Sequence, residues 1–373
     1  MSHLYIHIPF CHSKCPYCDF FSVATKKWHG EFVQALCREA KLRKDEIKGK
    51  VETIYFGGGT PSLLTEQEFS EITLAIQQHF SIDKYAEITL EANPDDVTPD
   101  KLVFWKSQGV NRLSIGTQSF DNKELQYLGR RHTANRSRQA LKDAVNAGFD
   151  NISADLIHGL PEANIENLFR SIEELSQTGV KHLSMYSLTV EKGTILENHI
   201  KKGVLRNINE DEQAETYLRA VEKAESCGFI QYEISNFCVP GFESKHNSAY
   251  WKSASYLGLG PSAHSFDGKK RSWNVSDIPQ YITGINEQKP VFESETLSAT
   301  DIYNEFLLTR LRMVCGIQLE EMKQLFGESI TEEFIEEVKK LNVFQYLHIT
   351  EKSLALTRSG LLFADRIISE LMK

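Results

Sequence analysis

Residues 7–22 read "HIPFCHSKCPYCDFFS" and set Cys11, Cys15 and Cys18 in a C-x3-C-x2-C spacing just after the apolar run "LYIHIP" of residues 4–9. The chain has seven cysteines, and the other four, Cys37, Cys227, Cys238 and Cys315, form no C-x2-C pair. Three clustered thiols in a chain without a signal segment point to metal chemistry rather than to disulfides. A zinc site would want a fourth ligand with its own pair spacing, and His12, adjacent to Cys11, is badly placed to close a tetrahedron. An iron-sulfur cubane fits better. Three cysteines each take one iron and leave the fourth iron open as a substrate or cofactor position. The other four cysteines read as buried thiols, packing as small apolar groups.

Outward from this stretch, short apolar runs recur: "LYIHIP" (4–9), "TIYFGGGTP" (53–61), "EITLEANP" (87–94), "NRLSIGTQSF" (111–120), "NISADLIHGLP" (151–161) and "HLSMYSLTV" (182–190). Amphipathic segments such as "EFVQALCREAKLRK", "EQEFSEITLAIQQHF" and "RSRQALKDAVNAGF" separate them. Strand and helix repeated at this spacing predict parallel βα units and an α/β fold, a partial (β/α)6 barrel. Polar residues gather where the strands end: Cys11, the run Gly57–Thr60, Glu91 with Asn93, Gln118, and Asp155. Parallel strands put those ends on one face, so the thiols and the polar ring should share a mouth.

The pattern changes beyond residue 205. A helical run, "DEQAETYLRAVEKAESCGF", leads into the aromatic and Gly-rich segment "YEISNFCVPGFESKHNSAYWKSASYLGLGPSAHSF". From about residue 293, helices followed by the hairpin pattern "LHITEKSLALTRSG" suggest a winged-helix-like module. The expected organisation is therefore a barrel over 1–205, an extension over 206–292 and a C-terminal module over 293–373. That last module carries 12 acidic and 9 basic residues from Ala299 to Lys373, and the whole chain has a formal net charge of −9. Nucleic acid and an anionic membrane surface are thus poor partners. The wing reads as a lid or docking surface. With no apolar run long enough to span a bilayer, the expected location is the cytoplasm.

The order of motifs resembles the radical S-adenosylmethionine (SAM) superfamily, and within it the oxygen-independent coproporphyrinogen III oxidases and the HemW heme chaperones. The segments that carry the resemblance are "YIHIPFC", "FGGGTPS", "EANPD", "LSIGTQSF", "LGRRH", "ADLIHGLP", "MYSLTVEKGT" and "HNSAYW", together with the C-terminal module. It implies a 4Fe-4S cluster on Cys11, Cys15 and Cys18, with SAM chelating the open iron. In relatives, an electron from the reduced cluster cleaves SAM to methionine and a 5'-deoxyadenosyl radical. It implies that Gly57, Gly58, Gly59 and Thr60 bring backbone to the methionyl amine, and that Glu91 takes the amine or a ribose hydroxyl. Gln118 and Asp155 would hold the ribose, Arg130 the carboxylate in a forked contact, and Tyr5 would pack on the cofactor.

Two departures bear on function. The oxidases continue the motif as C-x3-C-x2-C-x-C, and here Phe20 stands at the position of the fourth cysteine. They also carry a longer N-terminal extension, whereas ten residues precede Cys11. The HemW relatives share both features and an HNxxYW segment, matched by His246, Asn247, Tyr250 and Trp251. The resemblance therefore implies a heme chaperone, with heme near this segment, His246 as first candidate for the iron ligand and His264 as second; His7 and His12 lie close to the cluster. Implied partners are heme-accepting proteins such as respiratory cytochromes, an electron donor for the cluster, and peripheral contact with membrane proteins, the chain acting as monomer or homodimer. The alternative activity is oxidative decarboxylation of coproporphyrinogen III; a radical SAM methyl transferase would share the same barrel.

Overall fold

The computed structural model describes residues 2–373 apart from 26, 162, 208 and 342. Strands β1 (Ser2–Ile8), β2 (Val51–Gly58), β3 (Ile82–Ala92), β4 (Arg112–Gln118), β5 (Asn151–His158) and β6 (His182–Ser187) pair side by side in chain order, every pair parallel. The helices that cover them begin where the sequence supplies a cap. Thr65 and Glu68 form a reciprocal capping box before Glu66–His79, and Thr98, Thr133 and Asn164 each accept from the first turn of the next helix.

Alternation along the strands decides what fills the barrel. In β1, Leu4, Ile6 and Ile8 are fully buried in the shell they share with Phe32, Leu36, Phe69 and Ile72 of the helices. The opposite face carries His3, Tyr5 and His7, and in β2 the same division sets Ile54 and Phe56 against Thr53, Tyr55 and Gly57. On this face neighbouring strands are joined by side chains: His3 Nδ1 lies 2.9 Å from Thr53 Oγ1, and Tyr55 donates to Glu91 at 2.8 Å. A closed eight-stranded barrel fills its interior with apolar layers. This open sheet instead turns polar groups to the face away from the helical shell.

The extension joins the same sheet. Strands β7 (Ile230–Gln231) and β8 (Asn236–Cys238) run antiparallel beyond β6, and β9 (Tyr256–Leu259) pairs in parallel with β1 as a seventh parallel strand that the periodicity had not revealed. Beyond it follow β10 (His264–Phe266), β11 (Lys270–Asn274) and β12 (Phe292–Thr296), all antiparallel, giving twelve strands in one sheet. The C-terminal residues form a second hydrophobic core around Phe306, Leu307, Phe334, Leu354 and Ile368. A three-stranded sheet of β13 (Ile317–Gln318), β14 (Leu347–Ile349) and β15 (Ser353–Leu356) completes that module.

One buried carboxylate ties the extension to the barrel. Glu39, on helix His29–Leu42 and wholly inaccessible, accepts from Arg43 Nη1 at 3.2 Å and Asn274 Nδ2 at 2.8 Å. Its other oxygen accepts from the Gly260 amide at 2.8 Å and the Tyr281 hydroxyl at 2.6 Å. Arg43 in turn donates to the Gly258 carbonyl at 3.0 Å and to Glu46 at 2.8 Å. Removing one member of such a set strands the others without solvent. Glu39→Ala is therefore expected to lower the free energy of unfolding by about 3–5 kcal/mol in urea denaturation, and a loss below about 1 kcal/mol would show that the hub is dispensable.

Candidate functional site

The three thiols sit on a loop whose base is closed by backbone bonds from Cys11 to the Val23 carbonyl (3.0 Å) and from Val23 to the Pro9 carbonyl (2.8 Å). A turn from Cys18 N–H to the Cys15 carbonyl (3.1 Å) folds its middle, and the His7 ring holds the Phe21 carbonyl at 2.9 Å. All three cysteines are half-buried. Thr60 Oγ1 donates to Cys11 Sγ at 3.4 Å and Arg130 Nη1 to Cys15 Sγ at 3.5 Å, so two of the sulfurs have donors suited to thiolates. Among the described residues no three Cys, His, Asp or Glu side chains converge on a point fit for a single ion. A cubane asks for something else, since each thiolate takes a different iron.

The Gly-rich run lies against this loop. The Gly59 amide donates to the Ile8 carbonyl at 2.8 Å and the Thr60 amide to the Phe10 carbonyl at 2.7 Å. A Cβ on Gly59 would come within 2.7–2.9 Å of Ile8 and Phe10 backbone atoms, and one on Gly58, at φ +106°, would lie 2.5 Å from the His7 ring. Gly57 has no room either, with Tyr55, Glu91 and Tyr5 within 3.1 Å of its added Cβ. Only glycine permits this approach.

Around the mouth, the residues expected from sequence are drawn together in two linked sets. Glu91 accepts from Tyr55 at 2.8 Å and from the Gly58 amide at 3.2 Å. Its withdrawal from water pushes its pKa up to about 7, with the charge of Asp155 adding to the effect. Asp155 is also raised by burial, against which it accepts from Ser114 at 3.1 Å. Arg130 reaches in from the segment after the short helix Asn122–Tyr127 to donate to Asn93 Oδ1 at 2.6 Å and to the Gly116 carbonyl at 3.0 Å. Gln118 ends β4 with φ +63°, a left-handed conformation for a non-glycine residue that turns its side chain back toward Gly116. Tyr5 stacks on Tyr55 with ring centroids 6.1 Å apart.

The HNSAYW segment lies in the short helix Lys245–Trp251. Both ring nitrogens of His246 are within hydrogen-bond distance of protein groups. The residue is 1% exposed, with Nδ1 2.6 Å from Thr53 Oγ1, Nε2 2.8 Å from the Tyr250 hydroxyl and its ring stacked on Tyr55 at 5.0 Å. Glu87 accepts from the backbone amides of both Lys245 and His246, anchoring the helix N-terminus in the barrel. Burial lowers the His246 pKa to about 3, so the ring is neutral. Tyr250 and Trp251 line cavities on two sides, and Asn247 lines one of them.

Residues 5–175 match the model of the Radical SAM superfamily, and residues 297–363 match the HemN C-terminal domain. The chain is 34% identical to the heme chaperone HemW of Bacillus subtilis over 375 aligned positions, 98% of each chain. The chain belongs to the HemW family of radical SAM proteins. Within the same family range it is 32% identical to the mitochondrial radical S-adenosyl methionine domain-containing protein 1 of Bos taurus, covering 99% of this chain and 87% of that one. The coproporphyrinogen III oxidase HemN of Escherichia coli shares the fold, with a TM-score of 0.86 at 22% identity over 100% of this chain and 90% of that one.

Further residues at the mouth carry little local sequence signal. Asn93, at the end of β3, bridges Arg130 and Thr60. Tyr55 and Ser114 position the two acids, and their period-two spacing to Gly57 and Gly116 was the available signal. The raised Glu91 pKa has a measurable consequence. Between about pH 4.5 and 7 the folded protein holds a proton that the unfolded chain has released, so this group's contribution is full at the acid end and is lost as pH rises through 7. The stability difference between the protein and Glu91→Gln is expected to shift against the Glu form by up to about 1.4 kcal/mol per pH unit across that window; a flat difference in pH-resolved denaturation would exclude the raised pKa.

Proposed function

We propose that this chain is a heme chaperone that carries a 4Fe-4S cluster and SAM in the barrel mouth, binds heme beside the Asn247–Trp251 segment, and delivers it to acceptor proteins such as respiratory cytochromes. The observation that carries the reading is Phe20. It occupies the position at which the oxidases are expected to hold a fourth cysteine, is 71% exposed, and forms part of the wall of an aromatic cavity directly beside the three-cysteine loop. A thiol there would serve chemistry; an exposed phenyl ring serves apolar contact. The names of the full-length relatives support the same reading.

The donor set suits the implied groups. Cys11, Cys15 and Cys18 would hold the cluster, which supplies an electron-transfer centre with one open iron. Residues 57–60 offer a backbone cradle. Glu91, once ionised, offers a partner for an ammonium group, Arg130 offers a guanidinium for a carboxylate, and Gln118 and Asp155 offer partners for ribose hydroxyls. Tyr5 would stack on the bound cofactor, with an electron donor docking at the mouth. The protein would act in the cytoplasm as monomer or homodimer, meeting membrane-bound acceptors peripherally; among the described residues no helix is long and apolar enough to cross a membrane.

The test pairs two anaerobic measurements on reconstituted protein holding about four irons and four sulfides. Heme titration should saturate at one equivalent, while incubation with coproporphyrinogen III, SAM and dithionite should yield no protoporphyrinogen. Porphyrin turnover without stable heme binding would make the protein an oxidase instead. Arg130→Ala should weaken SAM binding by about tenfold or more, the loss of a charge-assisted hydrogen bond, and unchanged affinity in calorimetry would remove Arg130 from the site.

A further inference from the structure

Asn93 heads the turn Pro94–Asp96, where an asparagine side chain usually bends back to accept from the amides of the turn; here it makes no such bond. Its backbone is fixed on both sides. The Asn93 amide donates to Ser62 Oγ at 3.2 Å, Ser62 donates to Asp96 at 2.7 Å, and the Asn93 carbonyl accepts from the Asp96 amide at 2.9 Å. Pro94 follows, and a proline confines the residue before it to extended backbone, the conformation found at φ −81° and ψ 144°. The carboxamide is thereby directed away from its own turn and into the polar mouth.

The groups it meets there fix its orientation. Arg130 Nη2 lies 2.6 Å from Asn93 Oδ1, and a guanidinium only donates, so the amide oxygen faces Arg130. The amide nitrogen then donates to Thr60 Oγ1 at 3.4 Å. A hydroxyl has one proton to give, and that of Thr60 goes to Cys11 Sγ at 3.4 Å. Arg130, held from its other side by the Gly116 carbonyl at 3.0 Å, donates through Nη1 to Cys15 Sγ at 3.5 Å. Cys11, Thr60, Asn93, Arg130 and Cys15 thus form one chain of hydrogen bonds with Asn93 as its central link.

We propose that Asn93 is a positioning residue that aims a hydroxyl and a guanidinium at two cluster thiolates and thereby sets the reduction potential of the cluster. The proposal rests on the reading that Cys11, Cys15 and Cys18 hold a 4Fe-4S cluster. Hydrogen bonds to the sulfurs draw electron density from the thiolates, and the reduced cluster, with one electron more, gains more from them than the oxidised one. The chain through Asn93 therefore makes the cluster easier to reduce. Two substitutions separate this role from packing. In Asn93→Asp the side chain keeps its shape and still accepts from Arg130, but it has no proton to give Thr60. The Thr60 hydroxyl then donates to the new carboxylate, Cys11 Sγ loses its donor, and a negative charge is added at the mouth. In Thr60→Val the donor to Cys11 is lost with no change of charge.

The experiment is an anaerobic redox titration of the full-length, cluster-reconstituted protein and of both variants, with the reduced cluster followed by electron paramagnetic resonance. Iron and sulfide content, at about four of each per chain, is the control for an intact site. Asn93→Asp should shift the one-electron equilibrium at least tenfold toward the oxidised cluster, a midpoint lower by about 59 mV or more. Thr60→Val should move it in the same direction by a smaller amount. Midpoints equal to that of the unaltered protein in both variants would overturn the proposal and leave the cluster reading standing. Should the aspartate variant fail to hold a cluster, an unchanged midpoint in Thr60→Val alone would overturn it. Failure of the unaltered protein to take up iron and sulfide would overturn the cluster reading and this proposal together.

Discussion

The site depends on how closely the ends of two neighbouring strands approach. At Gly59 the backbone of β2 lies so near that of β1 that a single methyl group would meet the Ile8 and Phe10 carbonyls at 2.8 and 2.7 Å. The contact seals the amides of Gly59 and Thr60 onto those carbonyls. It thereby sets the Thr60 hydroxyl beside the Cys11 sulfur and the Gly58 amide beside Glu91. One close approach thus fixes the register between the thiol-bearing loop and the polar mouth, and side-chain choice elsewhere elaborates on that register.

A second constraint comes from the polar lumen. Buried polar groups must find partners, and with the apolar faces of β1 and β2 committed to the helical shell the lumen satisfies itself by a chain of bonds: His3 to Thr53, Thr53 to His246, His246 to Tyr250. The HNSAYW helix is thereby a working part of the barrel. Its histidine completes the interior network, while Tyr250 and Trp251, a turn later, face the cavities outside. The motif thus joins the chamber's hydrogen-bond network to the wall of the neighbouring cavity.

How much of this was legible follows from the period of each signal. The six parallel strands and their order could be read because each is a short apolar run between amphipathic spans. Cys11, Cys15, Cys18 and the glycine run could be read because their spacing is local. Strand β9 could not, being four residues in a Gly-rich segment whose pairing with β1 spans most of the chain. The burial of His246 was equally hidden. Nothing local distinguishes a histidine that plugs a barrel from one that faces solvent, because the deciding partner, Thr53, lies 193 residues away. The Glu39 hub was missed for the same reason, an acid on an amphipathic helix reading as surface until its four donors are assembled in space.

The same long-range contacts connect the two halves of the site. Glu39 and Arg43 hold the turn at Gly258–Gly260, that turn positions His264, and the helix bearing Glu39 starts just beyond the cysteine loop. The loop's own Phe20 and Phe21 form the facing wall of the same cavity, and His7 links that wall back to the glycine run through the Phe21 carbonyl. A change in the order or position of residues 11–22 therefore alters the aromatic wall directly, with no intervening domain motion.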